Sequence, residues 1–271
     1  MSLHRSKLFD VAGKTALVTG GGKGIGKMIS QALVQNGANV YICSRKESLL
    51  TATASELNTL GPGRCFPLAG DLSTLAGIQG LTTQLKAREK HLHILVNNSG
   101  CTWGAPLESY PDQAWDKVMT LNVKSVFQLT VEALPLLEAA GTLRDPARVI
   151  NIGSVTGLAA NAGLWPEMYA YTTSKAAVHH LTQSLASKLT ARGITVNAVA
   201  CGAFATQMMA QTLAERGEVI ANASPLGRIG EPSDIAGAVL FLASQAGSWM
   251  SGTVIPLEGG SLVSPSLPNV K

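Results

Sequence analysis

Short apolar segments rich in β-formers recur along the chain between longer stretches of helical pattern, and this alternation constrains the fold more than any other feature. Thr15–Thr19, Asn39–Cys43, Arg64–Leu68, His93–Val96, Arg148–Ile152, Thr195–Val199 and Thr253–Pro256 read as seven strands. They lack polar–apolar alternation, as strands buried on both faces do. Between them Gly24–Asn36, Glu47–Leu60, Thr74–Glu89, Asp112–Ala139, Met168–Thr190 and Ser233–Ala243 read as helices, several with Ser, Thr or Asp near the start and Gly beyond the end. A repeated strand-then-helix order joins parallel strands through helical crossovers, so the predicted architecture is α/β, a doubly wound parallel sheet with helices on both faces. Pro135 lacks an amide donor, and a kink or early helix end is predicted there.

With 46% hydrophobic and 14% charged residues among 271, the chain can bury a substantial core. One domain over 1–271 is expected, with 1–9 as an N-terminal arm and 261–271 as a C-terminal tail extended by Pro265 and Pro268. The net charge is only +4 and the basic residues are scattered, which argues against nucleic acid as a partner. No stretch reaches the ~18 apolar residues of a membrane span. Cys43, Cys65, Cys101 and Cys201 lie far apart without C-x-x-C spacing, which fits reduced thiols in a cytoplasmic protein. The histidines, His91, His93, His179 and His180 among them, do not align with carboxylates or thiols as a ligand set, so no metal is expected.

The first strand runs into Thr19-Gly20-Gly21-Gly22-Lys23-Gly24-Ile25-Gly26 and then an apolar-periodic helix. In that context a glycine turn presents backbone amides to a pyrophosphate at a helix N-terminus. Gly20 would make the turn, Gly24 would admit the phosphate closely and Gly26 would let helix and strand pack; a flexible loop is the alternative reading. After the second strand stands Cys43-Ser44-Arg45-Lys46, where an NAD-binding chain usually places a carboxylate for the ribose 2′-hydroxyl. Arg45 instead suits a 2′-phosphate, with Ser44 donating and Lys23 or Lys46 adding charge, so the expected cofactor is NADP(H). By itself the segment also reads as a solvated basic turn.

Tyr171 and Lys175 stand four apart, on one face of a helix. A nearby ammonium, together with a cationic nicotinamide, favours the phenolate and allows proton exchange with an alcohol near neutral pH. Ser154 follows an apolar strand at the carboxyl edge, placed to hydrogen-bond a reacting carbonyl oxygen or simply to cap a turn. Asn122 interrupts an apolar helical stretch, where it either holds a water that relays protons through Lys175 or bonds the local backbone of a bent helix.

T-G-x-x-x-G-x-G, Asn97-Asn98-Ser99-Gly100, Asn122, Ser154 and Y-x-x-x-K follow one another in an order and spacing that resemble the short-chain dehydrogenase/reductase family over most of the chain. The resemblance implies a seven-stranded Rossmann sheet, a catalytic tetrad of Asn122, Ser154, Tyr171 and Lys175, and a homotetramer built through the long helices near Asp112–Ala139 and Met168–Thr190. It also implies that Asp71 and Leu72 meet the adenine, that Asn98 and Gly100 line the cofactor cleft beside Tyr171 and Lys175, and that Thr206 approaches the nicotinamide carboxamide. Lys23 stands where NADP-preferring relatives often carry a basic residue.

Two departures from the family pattern stand out. Asn197-Ala198-Val199-Ala200-Cys201-Gly202 carries Cys201 where Pro-Gly is usual, and a buried structural thiol rather than a nucleophile is expected there. Ser154 and Tyr171 are seventeen positions apart, so 161–167 is expected to enlarge a loop on the substrate side. Tyr169 has Thr173 four residues later, not a lysine, which leaves Tyr171 as the acid/base candidate.

Trp103, Leu164, Trp165, Phe204, Met208 and Met209 fall in loops expected around the cleft, which suggests an apolar substrate with one reducible oxygen. Around 101–110 and 151–155 the chain looks especially like 3-oxoacyl thioester reductases of the rhamnolipid-associated type, so NADPH-dependent reduction of a 3-oxoacyl thioester or similar apolar ketone is expected. A ketone or polyol reductase of secondary metabolism is the alternative among enzymes, and an NADPH sensor without turnover the alternative outside them.

Overall fold

The computed structural model describes residues 3–159 and 167–263. Seven strands, β1 (Thr15–Thr19), β2 (Asn39–Ser44), β3 (Arg64–Ala69), β4 (Ile94–Asn97), β5 (Ala147–Ser154), β6 (Ile194–Cys201) and β7 (Val254–Leu257), form one sheet in the order β3-β2-β1-β4-β5-β6-β7. Every pairing is parallel, as the strand-then-helix order requires. The helices are α1 (Arg5–Leu8), α2 (Gly24–Gln35), α3 (Glu47–Leu57), α4 (Leu75–Arg88), α5 (Asp112–Met119), α6 (Ser125–Ala140), α7 (Tyr169–Leu189), α8 (Ala210–Asn222) and α9 (Pro232–Ala243).

Successive strand residues serve opposite faces. Ala16 and Val18 join Ile29 and Leu33 of α2, Leu50 and Leu57 of α3, and Ile235 and Val239 of α9. Leu17, between them, joins Ile78 and Leu81 of α4, Leu129 and Leu136 of α6, and Leu189 of α7. Burial on both faces explains why the strands read as continuous apolar runs.

The predicted helix end at Pro135 is not found: α6 runs through it to Ala140. Pro135 is exposed, and so is Val131, whose carbonyl loses its helical partner there; water can satisfy that carbonyl, so the break is tolerated. The stretch instead changes character at a π-helical turn, Thr120–Lys124, between α5 and α6. Helix α8 was not predicted. Its sequence is largely polar, only Ile220 is buried, and Arg216 leaves helical geometry within it. Ser261–Val263 form a turn, and the rest of the predicted tail, like 161–166 of the predicted loop, lies outside the described residues.

Candidate functional site

The carboxyl ends of β1, β4, β5 and β6 meet at one edge of the sheet, where open α/β folds hold their ligands. Thr19 braces two of them: its Oγ1 accepts the amides of Asn98 and Ser99 at 2.9 Å each, and Asn98 Nδ2 donates to Thr19 O at 2.8 Å. Gly20 then turns with φ +66°, and a Cβ on it would lie 2.8 Å from Asn98 Nδ2. A Cβ on Gly26 would run into the Gly20 carbonyl, so α2 starts pressed against the turn. Lys23 caps α2 through no side-chain bond, which leaves the first-turn amides around Gly24, Ile25 and Gly26 facing the edge as an anion cradle.

Ser44 ends β2 beside this cradle, and Arg45 and Lys46 follow it, both exposed. Asp71 accepts the Ser73 amide at 3.0 Å, and this bond, helped by Arg45, holds its carboxyl below the usual range. Leu72 is buried next to it. Thr206 closes the opposite wall, its Cγ2 3.3 Å from where a Gly24 Cβ would sit, while Lys23 Nζ donates to Gln207 Oε1 at 3.3 Å.

Helix α7 brings Tyr171 and Lys175 to the same edge. Lys175 Nζ donates to the Ile152 carbonyl at 2.8 Å and lies 5.6 Å from the centroid of the Tyr171 ring. Burial lowers the Lys175 ammonium to about 8. Burial also pushes the Tyr171 phenol up to about 12, against the opposing pull of its hydrogen bond with Ser154. The ammonium by itself therefore does not bring the phenolate near neutral pH; desolvation dominates, and the phenol stands protonated.

Ser154 ends β5 and serves two partners. Besides meeting Tyr171, its Oγ accepts the Thr156 amide at 3.3 Å and Thr156 Oγ1 at 3.0 Å, capping the turn Val155–Gly157. Asn122 sits in the π-helical turn, buried, with Oδ1 accepting the Cys101 amide and Nδ2 donating to Cys101 O and Ser174 Oγ, each at 2.9 Å. Both amide hydrogens are used on residues far away in the chain rather than on the backbone of its own helix, and one Oδ1 lone pair is left. A Cβ on Gly100 would lie 3.1 Å from that Oδ1 and 3.8 Å from Lys175 Nζ, so glycine keeps open the space both face.

Phe204 was expected near the substrate but is 2% exposed and stacked against Gly230 within the core. Met208 is exposed, and Trp103 carries the Lys117 ammonium 5.5 Å above its ring. Leu164 and Trp165 lie outside the described residues. Cys201 is buried beside Ser154 in register, and desolvation pushes its thiol up to about 12, a poor nucleophile.

Sequence reasoning missed the support beneath the site. Asn97 Nδ2 donates to Asn151 Oδ1, and Asn151 Nδ2 donates to Thr182 Oγ1, both at 2.9 Å and buried, which ties β4, β5 and α7 together. The only signal was an asparagine inside each of two apolar strands.

The family model described as short chain dehydrogenase matches residues 14–217. The rhamnolipids biosynthesis 3-oxoacyl-[acyl-carrier-protein] reductase of Pseudomonas aeruginosa is 44% identical over 254 residues, 93% of this chain and 97% of that protein. The solved NADP active-site complex of Pseudomonas aeruginosa RhlG is 43% identical with TM-score 0.89, covering 94% of this chain and 99% of that one. A gluconate 5-dehydrogenase from Burkholderia cenocepacia, solved with NADP and tartrate, is 28% identical with TM-score 0.88, covering 97% and 100%.

Proposed function

The chain belongs to the short chain dehydrogenase family, and from that premise we propose that it is an NADPH-dependent carbonyl reductase with Tyr171 as its acid/base. The observation that carries this reading is the placement of the Tyr171 phenol beside Ser154, with Lys175 Nζ 5.6 Å from its ring, at the carboxyl edge of the sheet.

The residues present fit the cofactor. The amides around Gly20, Gly24, Ile25 and Gly26 suit the pyrophosphate, Arg45, Ser44, Lys46 and Lys23 the 2′-phosphate, and Asp71 and Leu72 the adenine. Asn98, Gly100, Thr206, Tyr171 and Lys175 then line the nicotinamide end. NADP-bound relatives support the assignment. When bound, NADPH supplies the hydride that reaches the carbonyl carbon.

The chain's own groups handle the oxygen. Ser154 Oγ donates to the carbonyl oxygen and fixes its direction, and Tyr171 Oη gives that oxygen its proton as the C–O bond becomes single. The resulting phenolate is stabilised by the Lys175 ammonium, which the Ile152 carbonyl aims. Asn122 fixes the 101 strand-to-helix connection on one side of Lys175. The phenolate recovers its proton from solvent by way of the Lys175 ammonium.

A 3-oxoacyl thioester or similar apolar ketone is the proposed substrate, supported by the 44% identical relative. The gluconate dehydrogenase neighbour favours polyols and their ketones as the second class to test. The proposed assembly is a homotetramer, supported by Phe127 and Val131, which stand exposed four apart on α6. Four free thiols, and the absence among described residues of a helix long and apolar enough to cross a membrane, support a cytoplasmic setting.

NADPH oxidation with a 3-oxoacyl thioester, apolar ketones and polyol-derived ketones, compared with NADH and with Tyr171→Phe, tests the proposal. Turnover that prefers NADPH and disappears in the variant supports it. NADPH binding with no turnover on any carbonyl would make the protein a sensor instead.

A further inference from the structure

His179 is 6% exposed, yet neither ring nitrogen has a hydrogen-bond partner among the described residues. Leaving an imidazole this way costs stability, so the side chain calls for a reason other than folding. Its surroundings supply one. His179 lies on α7 one turn after Lys175, and its ring occupies the space that side chains at two glycines would need. A Cβ on Gly153 would run into Nε2, and a Cβ on Gly157 would meet the α7 backbone at Lys175 and Ala176 at 2.6 Å and Cε1 at 2.9 Å. The Gly157 backbone faces the ring outside hydrogen-bonding geometry. These glycines bracket Ser154.

Helix α7 therefore grips the end of β5 at two successive residues. Lys175 holds the Ile152 carbonyl at 2.8 Å, and the His179 ring presses on Gly153. The next residue is Ser154, whose Oγ meets Tyr171. We propose that His179 is a positioning residue of the reductase: by filling the gap between Gly153 and Gly157, its ring sets where Ser154 stands relative to Tyr171 and Lys175. The inference rests on the carbonyl-reductase reading and adds to it a residue that touches neither substrate nor cofactor.

The contact works through shape rather than through the ring nitrogens. Burial lowers the imidazole's proton affinity, opposed by the Gly157 backbone and helped by the Lys175 ammonium, and the net shift is downward, which favours a neutral ring beside the ammonium. Removing the ring frees the 153–157 turn, and a hydroxyl displaced by a fraction of an ångström no longer directs the carbonyl oxygen.

A double-mutant cycle between His179 and Ser154 tests this, using single-turnover rates at saturating NADPH and carbonyl, with the NADPH dissociation constant measured in parallel. His179→Ala is expected to slow the chemical step ~10-fold in the wild-type background and less than ~2-fold in Ser154→Ala, since positioning a hydroxyl that is absent has no effect. NADPH binding is expected to be unchanged in every variant. Equal losses in both backgrounds, or a wild-type rate in His179→Ala, would overturn the positioning role while leaving the reductase reading intact. A Ser154→Ala enzyme as fast as wild type would overturn the positioning role together with the part the reductase reading gives to Ser154. If His179→Ala does not fold, Gly153→Ala displaces the ring from the other side and must show the same dependence on Ser154; a loss independent of Ser154 rejects the proposal.

Discussion

The two ends of the same seven strands both bury cationic side chains, and they treat them in opposite ways. At the amino end, Arg148 is 1% exposed and donates from Nη2 to Asp145 at 2.8 Å and to the Ser244 carbonyl at 2.9 Å. Asp145 also receives Lys14 Nζ at 3.0 Å. Burial works to raise the Asp145 carboxyl, but Lys14 and Arg148 outweigh it and hold it low. At the carboxyl end Lys175 has a carbonyl and no carboxylate, and burial takes it to about 8. Burial pushes each group toward its neutral form, and a countercharge decides whether it is held charged and locked in place or left free to titrate. The locked end ties β1, β5 and the end of α9 together; the free end is where a proton can move.

Four experiments would break or sharpen that contrast. The largest effect is expected from Tyr171→Phe, which should lower carbonyl reduction ~10³-fold or more with NADPH affinity and melting temperature close to wild type. Retained turnover would remove the phenol from the chemistry. Asp145→Asn should do the reverse, leaving the rate per folded molecule alone while lowering unfolding free energy by about 2 kcal/mol in urea. The figure is below that for a wholly interior pair because Asp145 is half-exposed. A loss of activity with no loss of stability would mean that the two ends are not separate.

Arg45→Ala should weaken NADPH binding ~10-fold while leaving NADH nearly untouched, read as the ratio of kcat/KM for the two cofactors. An unchanged ratio would return the segment to a solvated basic turn. The smallest effect concerns pH and stability without cofactor. Lys175 titrates near 8 when folded and near 10.5 otherwise, so between those values the unfolded chain holds the extra proton, and stability rises with pH relative to Lys175→Met. Tyr171, raised from 10 to about 12, opposes this above about pH 10, because the unfolded chain then loses its phenolic proton first. A wild type whose stability stays level with the variant from pH 8 to 10 and falls against it only above about 10.5 would show a countercharge on Lys175 after all.

Much of the framework was legible in advance because it rests on local pattern. Each of the seven strands appears within a few residues of its expected place, since parallel strands covered on both faces write themselves as apolar runs. The early helix end allowed for at Pro135 does not occur because a missing amide matters only where its partner carbonyl is shut from water, and Val131 is exposed. Phe204 misled: its loop lies at the correct edge, but Gly230 gives the ring a slot in the core. Asn97, Asn151 and Thr182 carried no local signal of pairing, since their hydrogen bonds join residues far apart in the chain.

The sequence by itself determined the order of the strands and of most helices between them, the glycine turn that opens α2, the absence of a carboxylate after β2, and the spacing of Tyr171 to Lys175, because each is set by neighbours along the chain. Only the tertiary structure decided the charge states of Tyr171 and Lys175, the bonding of Asn122 in a π-helical turn, and the fit of His179 between two glycines. Those depend on how much water folding removes and on which distant groups take its place.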